Sequence, residues 1–136
     1  MCSNYICDMN VGDRVAFKFS TVPHFRLPIN MKAPIVMVGA GTGVAPFKGF
    51  IQERVALKKY GELGPAMMIY GCRNKGELAS EEQLKRALSD GSMTDFVVAY
   101  SREFGIPKMY VQDMMIACKE RCEPTQRYDR SYNKPF

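Results

Sequence analysis

Pro34-Ile35-Val36-Met37-Val38-Gly39-Ala40, running directly into Gly41-Thr42-Gly43-Val44-Ala45-Pro46-Phe47, joins a short apolar segment to a glycine-rich turn and a helix start. The apolar segment is rich in β-branched residues and ends in glycine, which suits a strand buried on both faces of a parallel sheet. Pro46 stands where a first helical turn tolerates a missing N–H. Beyond it Phe47, Phe50, Ile51 and Val55 recur at helical spacing and predict one apolar face. Strand, tight turn and helix in this order form the first half of a βαβ unit.

The same alternation repeats toward the C-terminus. Gly64 and Pro65 lead into the apolar run Ala66 to Cys72. Ser80 and Gln83 have the spacing of a capping box, Leu84, Ala87 and Leu88 form a helical stripe, and Gly91 stands at its C-terminal cap. Asp95 to Ser101 reads as a third strand, and Val111, Met114, Met115 and Cys118 as a last helical stripe. Alternating strands and helices predict a three-layer α/β/α, doubly wound parallel sheet with right-handed crossovers. Upstream, Val15, Phe17 and Phe19 alternate with Ala16 and Lys18 and predict a half-buried strand, followed by a connector broken by Pro23, Pro28 and Pro34.

Composition narrows the function classes. The 136 residues suffice for one domain, or a domain plus part of another; 46% are hydrophobic and 24% charged, as in ordinary globular chains. No apolar run approaches the roughly 20 residues of a membrane helix, and no secretory pattern follows Met1. The chain is therefore expected to be soluble and intracellular, without membrane contact of its own. The net charge of +5 is spread among mixed signs, not gathered in a basic stripe, which argues against nucleic acid and suits a phosphate-bearing metabolite. The five cysteines and the single His24 have no zinc spacing, so no metal is expected and the thiols read as reduced.

In a sheet of this kind ligands bind beyond the carboxyl ends of the strands. Three such ends carry chemistry. The glycines of the Gly39–Gly43 stretch allow a close backbone approach, and the following helix offers free N–H groups and a positive dipole end. A GxGxxG fingerprint from Gly39 fails at Val44, and a P-loop from Gly43 fails at Lys48. A plain tight turn and a phosphate cradle both remain open on these residues. The second end carries Arg73, whose planar fork suits phosphate or ribose but equally suits solvent. The third carries Ser101 and Arg102, with Lys108, Tyr110 and Gln112 soon after. A hydroxyl, two cations, an aromatic face and an amide match the needs of a phosphorylated adenosine.

GTGVAPFKGFIQER (41–54), YGCRN (70–74), YSRE (100–103) and Lys108-x-Tyr110-x-Gln112, in this order, resemble the NADPH-binding half of diflavin reductases. That family includes NADPH–cytochrome P-450 reductase, the nitric oxide synthase reductase region and methionine synthase reductase, within the wider ferredoxin–NADP reductase fold. The resemblance covers about Cys2 to Met115 and is closest to the cytochrome reductase branch. It implies Gly41, Thr42 and Gly43 on the pyrophosphate and nicotinamide side and Arg73 on the ribose–phosphate portion. It further implies Ser101, Arg102 and Lys108 on the 2′-phosphate, Tyr110 against adenine and Gln112 close by. An NAD site would favour an acidic residue on the ribose, whereas these cations accommodate a phosphate. Cys2 and Ser3 resemble the end of the family's FAD-pyrophosphate motif, and Phe25-Arg26-Leu27-Pro28 the join between flavin barrel and nucleotide domain.

The departures are also informative. Ala40 replaces a proline usual in the family's Gly-Pro-Gly-Thr-Gly turn. The flavin-stacking Arg-x-Tyr-Ser strand, the Cys-Gly-Asp strand and an FMN-binding domain find no counterpart, nor does the terminal flavin-shielding aromatic unless Tyr132 or Phe136 takes that role. The expected layout is a remnant of the FAD barrel and connector at 1–28, an NADPH-binding core at 29–115 and a divergent tail at 116–136. In the intact family hydride passes from NADPH to FAD, then electrons pass through FMN to a cytochrome P-450 or similar acceptor, in the cytoplasm or on the cytoplasmic face of the endoplasmic reticulum. The resemblance assigns no catalytic residue here and implies an NADPH-dependent flavoprotein reductase, truncated at both ends and inactive in isolation. The alternative is a non-catalytic nucleotide-binding fragment that holds NADPH or a partner reductase without turnover. The resemblance also puts the first strand in mid-sheet; with nothing to supply the strands beyond it, Ile35–Gly39 should form an edge.

Overall fold

A computed structural model describes residues 2–20, 22–78 and 81–122. Helix α1 (Cys2–Cys7) precedes a long irregular segment, then β1 (Ile35–Ala40), α2 (Ala45–Leu57), β2 (Ala66–Cys72), α3 (Glu81–Ser89), β3 (Asp95–Tyr100), α4 (Val111–Ala117) and α5 (Lys119–Cys122). The three strands form one parallel sheet in the order β1-β2-β3. Ile35 pairs with Ala66 and Met67 with Asp95, so Ala40, Gly71 and Ala99 lie side by side at the carboxyl end.

Every residue of central β2 is buried, because the pleat sends alternate side chains into two covered faces. Met68, Tyr70 and Cys72 join Met37, Ile51, Leu84 and Ala87 on the α2–α3 side. Met67 and Ile69 join Cys118, Val111 and Met114 on the α4 side. Helices thus cover both faces, as the alternating pattern predicts. Gly91 closes α3 with φ +76°, the left-handed cap expected of it. Among the described residues β1 bonds only to β2 and is an edge, with Val36 45% exposed.

Several expectations need correction. Residues 13–20 form no strand, and Val15, Phe17 and Phe19 are all exposed. Alternation makes a strand only where another edge accepts its hydrogen bonds; here Phe17 and Phe19 pack edge-to-face on each other instead, ring centres 5.2 Å apart. No strand forms between residues 8 and 34 among the described residues, so the barrel remnant expected at 1–28 is not seen as one. The connector is nevertheless tied to the domain. Phe25 packs against Phe47 and Phe50 at 5.8 and 5.2 Å, and the Gly64 N–H donates to the Met31 carbonyl at 2.8 Å.

On α2, Val55 faces solvent and Arg54 is buried in the position the stripe reserves for an apolar side chain. The guanidinium donates through Nε to the Ser92 carbonyl at 2.8 Å and through Nη2 to the Gly64 carbonyl, joining the turns that enter β2 and β3. Burial draws its pKa down from the ordinary arginine value. On α4, Met115 is half exposed and drops out of the stripe. Ser80, Tyr132 and Phe136 lie outside the described residues.

Candidate functional site at the carboxyl ends of the strands

The turn after β1 is built around two glycines. A Cβ on Gly39 would stand 3.0 Å from the Gly43 carbonyl oxygen and 3.2 Å from the Phe47 ring, so only glycine lets the turn fold back on its strand. Gly41 has φ +53°, a left-handed conformation that glycine adopts freely. A single 3₁₀ turn, Gly41–Val44, leads into α2 with Pro46 in its first turn. Gly41, Thr42 and Gly43 are exposed, and no side chain caps the amino end of the 13-residue α2. The Ala45 N–H donates to the Thr42 carbonyl and Pro46 has none, so the uncapped N–H groups here are those that open the 3₁₀ turn, whose cap residue Ala40 makes no side-chain bond.

The ends of β2 and β3 are stitched together by the backbone. Ser101 donates its N–H to the Cys72 carbonyl at 3.0 Å, and Arg102 donates to the Arg73 carbonyl at 2.8 Å. The next segment is tied back by Met109, whose N–H donates to the Tyr100 carbonyl at 2.8 Å. These bonds bring Arg73, Ser101 and Arg102 to one strand end, with Lys108 and Tyr110 beside it. The Lys108 ammonium lies 4.9 Å from the Tyr110 ring centre, an exposed cation–π contact. Tyr110 and Gln112 bracket the start of α4, where the Tyr110 N–H donates to the Asp113 carboxylate at 3.0 Å.

Motif reading missed two carboxylates among these cations. Arg73 is not free: its Nε lies 2.7 Å from one Glu77 oxygen and 2.9 Å from the other. That hydrogen bond, with the Arg73 backbone N–H and the charges of Arg73 and Arg102, holds the Glu77 carboxyl below its ordinary value. Glu103 accepts the Lys75 N–H at 2.7 Å. Glu77 stands four residues beyond Arg73 and Glu103 adjoins Arg102, but neither residue shows in sequence which group it takes. Burial, followed by the charges of Glu77 and Glu103, pushes the Cys72 thiol up, so it stays protonated near neutrality.

Not every candidate gathers here. Ser3 is exposed on α1, and no hydrogen bond or ion pair joins α1 to the strand ends among the described residues. An open hollow bounded by Lys58, Gly61, Glu62, Leu63 and Gly91 lies at the entry to β2 and β3, away from these groups. No cluster of metal-binding side chains occurs among the described residues, and no helix there is long and apolar enough to cross a membrane.

A family model described as an oxidoreductase NAD-binding domain matches residues 37–128. The chain is 44% identical over 108 residues to the NADPH–cytochrome P450 reductase of Rattus norvegicus, covering 78% of this chain and 16% of that protein. It is 43% identical over 117 residues to the bifunctional cytochrome P450/NADPH–P450 reductase 1 of Bacillus subtilis, covering 85% and 11%. A nitric oxide synthase-like protein of Bombyx mori is 37% identical over 117 residues, covering 84% and 11%. The chain thus spans less than a fifth of the length of these relatives.

Proposed function

The chain belongs to the oxidoreductase NAD-binding domain family, and from that premise we propose that it is the NADPH-binding segment of a diflavin-type flavoprotein reductase. One observation carries the reading. The backbone bonds from Ser101 to Cys72 and from Arg102 to Arg73 gather a hydroxyl and two guanidinium groups at one strand end, beside the Lys108–Tyr110 pair.

Each group has a role its chemistry suits. Gly41, Thr42 and Gly43 let the pyrophosphate approach the backbone, their uncapped 3₁₀ turn supplies N–H groups, and the helix behind it adds a partial positive charge. Arg73 reaches the ribose–phosphate portion. Ser101 donates a hydroxyl, and Arg102 and Lys108 donate charged N–H groups, to the 2′-phosphate. Tyr110 presents an aromatic face to the adenine with Gln112 adjacent. Together these residues fix which way the nicotinamide end points, which is the protein's share of a hydride transfer.

The wider reading places this segment before FAD, FMN and a cytochrome P-450-type acceptor, cofactors that supply the redox chemistry when bound. Cys2 and Ser3 are the residues we assign to the FAD pyrophosphate; Ser3 is exposed on α1. The alternative for this chain is binding of NADPH or a partner reductase without turnover. We take 29–115 as its nucleotide-binding core.

Calorimetry with NADP⁺ and NAD⁺ tests the proposal. A charge-assisted hydrogen bond contributes about 1.5–3 kcal/mol, so NADP⁺ should bind at least about tenfold more tightly. Equal affinities would overturn the reading. Flavin absorbance and NADPH oxidation with ferricyanide separate binding from turnover; a colourless, inactive preparation is expected.

A further inference from the structure

A carboxylate in the middle of a phosphate site is electrostatically out of place unless it serves something else. Glu103 follows Arg102 and stands among Arg73, Arg102 and Lys75. Its Oε2 accepts the Lys75 backbone N–H at 2.7 Å, across 28 residues of sequence. Lys75 opens the 3₁₀ turn Lys75–Glu77, whose cap position, Asn74, makes no side-chain capping bond. A helical turn leaves its first N–H groups unpaired unless a cap supplies an acceptor. Here the cap comes from the neighbouring strand end.

The capped turn carries Glu77, and Glu77 holds Arg73 through both carboxylate oxygens. A continuous path therefore runs from Glu103 through the 3₁₀ turn and Glu77 to the Arg73 guanidinium. The backbone bond from Arg102 to Arg73 closes it into a loop. We infer that Glu103 is a positioning residue for 2′-phosphate recognition: it caps the Lys75–Glu77 turn, which holds the Arg73 segment whose carbonyl takes the Arg102 N–H, and so sets Arg102 toward the 2′-phosphate. The inference rests on the NADPH reading above and adds to it the residue that arranges the cations. Glu103 acts through its acceptor geometry, and its negative charge is incidental.

Two near-isosteric variants separate geometry from charge. Glu103→Gln keeps an acceptor oxygen at the same reach and loses the charge. Glu103→Asp keeps the charge but falls a methylene short of the Lys75 N–H. The probes are adenosine 2′,5′-bisphosphate and adenosine 5′-monophosphate, which differ only in the 2′-phosphate, titrated into the 136-residue chain. The readout is the ratio of their affinities. Glu103→Gln should keep the wild-type ratio within about twofold, whereas Glu103→Asp should lower it about fivefold or more with monophosphate binding unchanged. A higher ratio in Glu103→Gln with a normal one in Glu103→Asp would show a purely electrostatic role and overturn the inference. So would equal losses for both probes accompanied by a lower melting temperature, or no change in either variant. A wild-type ratio near one would overturn the NADPH reading itself, a failure visible before any variant is made.

Discussion

Arg102 and Glu77 show how differently two charged side chains at one strand end can be used. Arg102 is exposed and is anchored by its backbone N–H on the Arg73 carbonyl, so its guanidinium can reach a ligand. Arg102→Ala should weaken NADP⁺ about tenfold or more by removing a charge-assisted bond, with NAD⁺ affinity unchanged in calorimetry. Glu77 is already engaged. Because the Arg73 hydrogen bond lowers its folded-state pKa, the pair's stabilisation is fully present above the ordinary glutamate pKa and is lost as pH falls through the lower folded value. The Arg73–Glu77 contact should hold from pH 8 to about pH 5 and open only in stronger acid. An NMR titration of the Glu77 carboxyl carbon should show this, with the midpoint returning toward an ordinary glutamate in Arg73→Ala. The cations were legible because their order along the chain matches known motifs. The carboxylate partners were not, because a one-dimensional pattern does not say which donor an acid will find.

Helices and strands here are joined by a few contacts with little tolerance. A Cβ on Gly71 would stand 2.7 Å from Val111 Cγ1, so α4 sits on β2 only because that strand end lacks a side chain. Gly71→Ala should destabilise the fold by about 1–3 kcal/mol, the usual cost of overpacking, and Val111→Ala in the same chain should recover much of the loss in urea denaturation. Because α4 begins at Val111, the single variant should also weaken nucleotide binding through Tyr110 and Gln112. Arg54 is the opposite case, a polar side chain in a core stripe. Arg54→Leu would strand the buried carbonyls of Gly64 and Ser92, each costing about 1–3 kcal/mol. Arg54→Lys should rescue only part of this, since a compact ammonium cannot reproduce a forked guanidinium. Equal stability of Arg54→Leu and wild type in denaturation would show that water replaces both bonds. Helical spacing located α2, but Val55 at the stripe's end faces out and Arg54 faces in. The choice was made by two carbonyls on other segments, which the periodicity of α2 cannot register.

In the molecule as a whole, the described sheet ends at β1 in an open edge. Among the described residues β1 pairs on one side only, and Val36 is half exposed on it. An apolar strand with open N–H and C=O groups is a template for another chain. Sedimentation should reveal concentration-dependent self-association, and Val36→Lys should reduce it; a monomer at every concentration would show that the edge is covered. The parallel sheet, its helices on both faces, the glycine turn and the left-handed Gly91 cap were all readable from residue order. Each depends on local rules: the strand period, the helix period, and the conformations that glycine and proline allow. The fate of Val15, Phe17 and Phe19 was not readable, because alternation states which faces a strand would have and not whether an edge exists to receive it. The Arg54 anchor, the Gly71–Val111 contact and the Glu103 cap across 28 residues share that reason. Each joins segments distant in sequence, and their approach is set by how the layers pack, a property of the folded chain and not of any stretch within it.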